Sequence, residues 1–144
     1  MKEMKETLMV AIFDVFERMF YVFLEPVNDE YSDYAMAATI QFGGALKGEV
    51  KIFVSERLAK SMVQNLLGIE TEDITEKDIE DCIKEAVNMI CGNFLGRLDQ
   101  TKVFDLSIPS FSQRPGKAAQ GENVCMLYFD SDSDGFGTTL TLFN

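Results

Sequence analysis

Apolar residues recur three and four positions apart through residues 5–24: Leu8, Ile12, Val15, Phe16, Met19, Phe20 and Phe23. That spacing marks one face of an α-helix. Pro26 closes it, and a polar loop follows over 28–33. The period then changes. Residues 34–43 and 46–54 read as two strands. Val50, Ile52 and Val54 alternate cleanly, while Ala37, Thr39 and Gln41 alternate loosely with larger apolar residues. Gly43-Gly44 between them signals a hairpin turn.

Ser55 is a natural N-cap for a short helix over 56–67, with Leu58, Met62 and Leu66 on one face and Gly68 at the stop position. An acidic loop follows. Thr75, with Asp78 three residues on, opens a long helix with a capping-box-like start that runs to about Asp99. Residues 103–111 predict a strand with Pro109 at its end or edge. The run SQRPGKAAQGE, 112–122, has the composition of a mobile loop. Residues 124–129 and 136–143 predict two strands joined by the polar turn DSDSDG.

The order is helix, hairpin, helix, helix, strand, hairpin. It predicts an α+β fold: a largely antiparallel sheet with helices packed on one face, in two pseudo-repeated helix-plus-hairpin halves of roughly 70 residues. The 144 residues form a single domain on this reading. With 47% hydrophobic and 26% charged residues the chain can build a core and is not disordered. The formal charge, −11 from 13 basic and 24 acidic residues, comes with no basic stripe. Nucleic acid and anionic membrane are therefore poor partners.

The chain contains no histidine, which removes Ser-His-Asp and Cys-His catalysis and most zinc or iron sites. Cys82, Cys91 and Cys125 form no CxxC pair. An odd count of this kind reads as buried thiols in a reducing cytoplasm. The apolar run from Leu8 to Phe13 is cut by Asp14, Glu17 and Arg18, so it reads as neither a signal peptide nor a membrane span.

The long helix holds the candidate chemistry. At roughly 100° per residue, Ile79, Ile83, Ala86, Val87, Ile90, Phe94 and Leu98 share the core side. Asp81, Glu85, Asn88 and Gly92 fall nearly opposite, each three or four residues from the next, so they form one exposed file. Gly92, and Gly96 a turn later, each cost a helix about 1 kcal/mol relative to alanine. A plain solvent face has no use for them, but a partner approaching the backbone does. Glu and Asn on such a face also fit ordinary solvated surface.

The run Asp81-Cys-Ile-Lys-Glu85-Ala-Val-Asn88-Met-Ile-Cys-Gly92-Asn93 resembles the D-x3-E-x2-N motif, followed by a GN pair, of the CheC/CheX family, phosphatases of the chemotaxis response regulator CheY. The order of elements over nearly the whole chain is similar, and Pro109 matches the family's downstream proline with loose spacing. CheC-like members carry the motif on two helices and CheX-like members on one. At the same register the first helix offers Asp14-x3-Arg18-x2-Tyr21, with Arg and Tyr at the Glu and Asn positions. The chain therefore resembles CheX more than CheC.

The resemblance implies hydrolysis of an aspartyl phosphate on a CheY-like response regulator. It makes Glu85 and Asn88 the catalytic residues and Asp81 and Gly92 partner-binding ones. Asn88 orients the attacking water, because an amide both donates and accepts hydrogen bonds and stays neutral. Glu85 meets a lysine of the partner, Asp81 helps to dock the helix, and Gly92 lets it seat deeply. The chain needs no cofactor of its own, since the phosphorylated partner supplies Mg²⁺. A reading from a different class is a non-catalytic module that binds a response regulator or a flagellar switch protein through the same helix.

Two further features remain. Asp130-Ser-Asp132-Ser-Asp134-Gly135 matches the opening of an EF-hand loop, but its twelfth position is Thr141 and strands flank it, so a hairpin turn with solvated aspartates is expected. The strand over 136–143 shows no edge-blocking charge or proline, which predicts pairing with a second copy in a homodimer. The alternative contact is the aromatic-rich first helix.

Overall fold

A left-handed residue, not the proline, ends the first helix. In the computed structural model of the protein, which describes residues 2–115, 121, 123–132 and 134–143, α1 (Lys2–Val15) passes into a π-helical turn over Phe16–Phe20. Tyr21 then adopts φ 53°, and Val22 N–H donates to Phe16 O at 3.0 Å. Tyr21 N–H also donates to Phe16 O, so both N–H groups close on the first carbonyl of the π-turn and stop the helix. The helical stretch lies nearer the N-terminus than predicted. Phe23 falls beyond it and is 73% exposed, whereas Leu8, Ile12, Val15, Phe16 and Phe20 are buried as the spacing predicts.

Between the predicted helix and the predicted loop the chain makes a short strand, β1 (Glu25–Val27). The first predicted hairpin is β2 (Met36–Gly44) with β3 (Gly48–Val54), in antiparallel register. Next comes α2 (Glu56–Leu67). Ser55 Oγ accepts the Leu58 N–H at 3.3 Å, and Gly68, φ 68°, ends the helix. The long helix is α3 (Glu76–Leu98), opened by a reciprocal capping box between Thr75 and Asp78.

The single strand expected over 103–111 is two strands, β4 (Phe104–Leu106) and β5 (Ser110–Gln113), both antiparallel to β2. Ser107 interrupts them. Its Oγ accepts the Gln41 N–H, and its own N–H donates to Gln41 O, both at 2.9 Å. Ile108 turns outward at 91% exposure, and Pro109 has no N–H to offer. β5 extends into the segment assigned to a loop. Of that loop, residues 116–120 and 122 lie outside the described residues. The second hairpin is β6 (Val124–Ser131) with β7 (Asp134–Leu142).

The strands form one antiparallel seven-stranded sheet in the order β1-β6-β7-β3-β2-β4, with β5 also on β2. This corrects the expectation of an open edge at the last strand. β7 pairs with β6 on one side and β3 on the other, so it is interior. Its lack of blocking residues reflects that interior position. Met36, Ala38, Ile40, Val50, Ile52, Leu127, Phe129, Phe136 and Leu140 alternate onto one face and join the buried residues of α1, α2 and α3 in one core cluster. The fold is the predicted α+β, with helices on one face of the sheet.

Candidate functional site

Core packing determines which side of α3 is left outside. Cys82, Ile83, Ala86, Val87, Ile90, Cys91, Phe94 and Leu95 are buried against the sheet and the other helices, and Ile79 and Leu98 are half-buried at the two ends. The opposite side emerges as the predicted file. Asp81, Glu85 and Gly92 are exposed and Asn88 is half-buried among them. The structure thus brings all four sequence-predicted site residues onto one face of one helix.

The acids along α3 differ in their partners. Lys84 Nζ lies 2.9 Å from Glu80 Oε2, and Lys77 Nζ lies 3.5 Å from Asp81 Oδ2. Glu85 makes no ion pair among the described residues. Of the two acids in the file, Asp81 and Glu85, it is the one left without a cation among the described residues. Asn88 likewise has no side-chain hydrogen bond among the described residues, so its donor and acceptor both remain free for an external group.

Gly92 and Gly96 continue the face. A Cβ built at either position meets no atom within 4 Å. Neither glycine is therefore explained by contacts inside the chain. A cavity of about 370 Å³ opens beside them, walled by Leu95, Phe104 and Leu106. The arrangement allows close approach to the helix backbone one turn beyond Asn88.

Asn93, the second member of the GN pair, points elsewhere. Its Nδ2 donates to Asp14 Oδ2 at 2.7 Å, which ties α3 to α1. Arg18 Nε holds the other Asp14 oxygen at 2.9 Å, and Arg97 Nη2 lies 3.5 Å from Oδ2. Tyr21, at the register matching Asn88, is on the left-handed turn and 69% exposed. Sequence reasoning missed the Asp14–Asn93 link. The available signal was Asp14, a carboxylate set between the apolar residues Phe13 and Val15 of the first helix.

The three cysteines are free and buried, as expected. Burial pushes the Cys91 thiol up to about 12, and burial with the nearby Glu85 charge pushes Cys82 to about 12. Neither thiol is a nucleophile at neutral pH. Asp130, Asp132 and Asp134 lie at the β6–β7 turn, where Asp132 has φ 49°. Ser133 lies outside the described residues. Thr141, the twelfth position of the calcium-loop register, pairs with Val124 within the sheet. Among the described residues no group of three or more His, Cys, Asp or Glu is placed to hold a metal ion, and no helix is long and apolar enough to cross a membrane.

A family model described as chemotaxis phosphatase CheX matches residues 36–130. No curated protein matches the chain. Among solved structures, chemotaxis protein CheX from Vibrio vulnificus is similar with TM-score 0.83 and 20% identity, over 98% of this chain and 97% of that one. A CheX from Desulfovibrio desulfuricans gives TM-score 0.81 and 20% identity, over 98% and 99%. CheX in the crystal structure of a CheX–CheY–BeF₃–Mg²⁺ complex from Borrelia burgdorferi gives TM-score 0.75 and 18% identity, over 96% and 97%. At these identities the structural likeness speaks for the fold.

Proposed function

Because the chain belongs to the chemotaxis phosphatase CheX family, we propose that it hydrolyses the aspartyl phosphate of a CheY-like response regulator, with Asn88 and Glu85 as its catalytic residues. The observation that carries the reading is the exposed file on α3, in which Glu85 has no ion pair and Asn88 has no hydrogen bond among the described residues. The Borrelia burgdorferi relative is recorded with CheY, BeF₃ and Mg²⁺. Trifluoroberyllate stands in for a phosphoryl group, so the pairing fits a partner that is phosphorylated.

The acyl phosphate is already reactive, and what this chain adds is position. α3 lays its outer face over the partner's phosphorylated carboxylate, with Gly92 allowing backbone contact. The Asn88 amide accepts one hydrogen bond from a water and directs a lone pair of that water at phosphorus. As the new P–O bond forms, the bond from phosphorus to the aspartyl oxygen breaks, releasing inorganic phosphate and the free carboxylate. Glu85 pairs with a lysine of the partner and fixes the register of the helix. Mg²⁺ carried by the partner neutralises phosphoryl charge. No group with a neutral pKa is required, which suits a chain without histidine.

The same reading includes a homodimer in the cytoplasm. With β7 interior, one sheet edge is formed by β4 and β5, both paired with β2. Val103, Leu106 and Ile108 are exposed there at 85%, 39% and 91%, an apolar edge suited to a second copy. The other edge, β1, carries Pro26, which discourages pairing. Sedimentation at micromolar concentration tests this part, and a mass that stays near 16.2 kDa on concentrating contradicts it.

The function is tested by adding the purified chain to a CheY-like regulator phosphorylated by a small phosphodonor and timing phosphate release. Acceleration at substoichiometric amounts supports the phosphatase. Tight binding without acceleration makes the chain a binding module.

A further inference from the structure

Asn88 sits just before the weakest stretch of its own helix. Gly92 and Gly96 fall one turn apart, and each removes helix stability of about 1 kcal/mol relative to alanine. Both are exposed and present no side chain on the outer face, while Phe94 and Leu95 between them are buried on the inner side. A catalytic amide that orients a water must be held to within a fraction of an ångström. A soft turn immediately beyond it works against that requirement.

The other side of the same turn is clamped. Asn93 lies between the two glycines, and Arg97 follows the second. Asn93 Oδ1 accepts from Arg97 Nε, bridging Gly96 along the helix axis, while Asn93 Nδ2 donates to Asp14 Oδ2 at 2.7 Å on α1. Arg97 Nη2 approaches the same Asp14 oxygen at 3.5 Å, and Arg18 Nε holds the opposite one at 2.9 Å. The Asp14 side chain is only 23% exposed. Hydrogen bonds to an ionised carboxylate are the stronger kind, especially away from water. The contacts reach the glycine turn from its inner flank and leave its outer face bare.

We propose that Asp14, Asn93 and Arg97 form a clasp that stiffens the Gly92–Gly96 turn of α3 against α1, and that they are positioning residues for Asn88. The proposal rests on the reading of α3 as the catalytic helix. It gives separate tasks to the two members of the GN pair: Gly92 clears the docking face and Asn93 restores the rigidity that clearing costs. It also gives the first helix a role. Asp14 stands where that helix would carry the equivalent of Asp81, and there it supports the site on α3.

The test compares wild type, Asn93→Ala and Asn93→Ala/Gly96→Ala by amide hydrogen exchange and by dephosphorylation kinetics on the same phosphorylated regulator. Removing Asn93 is expected to speed exchange at residues 92–98 about tenfold, with residues 82–87 unchanged. It is expected to lower kcat several-fold with little change in KM. Alanine at Gly96 meets open space and strengthens the helix. It is expected to return exchange toward wild type, which a general packing role for Asn93 does not predict. Unchanged exchange at 92–98, a uniform rise along all of α3, an unchanged kcat in Asn93→Ala, or failure of Gly96→Ala to slow exchange again overturns the clasp. Asn88→Ala serves as a separate control. If it keeps full activity, the catalytic reading fails while the exchange result still decides whether the clasp stiffens the turn.

Discussion

Asn93 reaches from α3 to Asp14 on α1, a hydrogen bond of 2.7 Å between residues 79 positions apart. It joins the helix bearing Glu85 and Asn88 to the helix whose matching register holds Arg18 and Tyr21. One consequence is thermodynamic. Asp14→Ala strands the Asn93 amide and removes the acceptor shared by Arg18 and Arg97. Because the arginines are substantially exposed, the loss is expected to be about 1–2 kcal/mol, near the low end for charge-assisted bonds. Urea denaturation measures it, and an unchanged midpoint would show that the clasp adds no stability.

Glu85→Lys should weaken both binding and turnover, because it sets a cation against the partner's lysine. Glu85→Gln keeps the shape and loses only the charge, so its effect should be milder. Fluorescence titration of the phosphorylated regulator against the three proteins checks the order. Equal affinities would mean that Glu85 meets no cation.

Gly92→Ala should move stability and function in opposite directions. A methyl group there finds open space within the chain and removes a helix-weakening glycine, so unfolding should become harder by about 0.5–1 kcal/mol. The same methyl group stands on the docking face and should raise KM for the regulator. A variant that is stabilised and binds as wild type does would dissociate Gly92 from partner contact.

The buried thiols set an alkaline limit. Cys82 and Cys91 are each raised from 9.0 to about 12, chiefly by burial. A folded pKa above the unfolded one favours the folded state while the thiol is protonated. That contribution is complete below about pH 9 and is lost as pH rises towards 12. Urea midpoints should therefore hold through neutral pH and fall above pH 9. Alkylation by iodoacetamide at pH 8 should be slow in the folded protein and fast in urea. Rapid modification of either residue in the folded state would contradict their placement.

The long helix was legible in the sequence because three independent signals agree along it: the Thr75–Asp78 cap, the apolar period from Ile79 to Leu98, and the polar file opposite. The two hairpins were legible from alternation around Val50–Val54 and from the polar DSDSDG turn. The failures occur where tertiary contacts override local pattern. Tyr21 stops the first helical stretch in a left-handed turn that few side chains favour. Glu25–Val27 becomes a strand only because β6 offers an unpaired edge. Ser107 splits the strand expected over 103–111 by taking Gln41's ladder bonds for itself. The interior place of β7 is not legible because sequence alternation reports which face a residue joins and is silent on the neighbours across the sheet. For the same reason the site's outer file was readable on one helix, whereas the Asp14–Asn93 support, which crosses between two helices, was not.

The most direct test of the account is the rate of phosphate release from a phosphorylated CheY-like regulator with wild type and with Asn88→Ala at equal, saturating concentration. Asn88 is half-buried and makes no hydrogen bond among the described residues, so the variant should fold and bind nearly as wild type does. The account predicts a loss of catalysed rate on the order of 10²-fold, the scale of one lost positioning group. Wild-type speed in Asn88→Ala, with the regulator bound equally well, would contradict it.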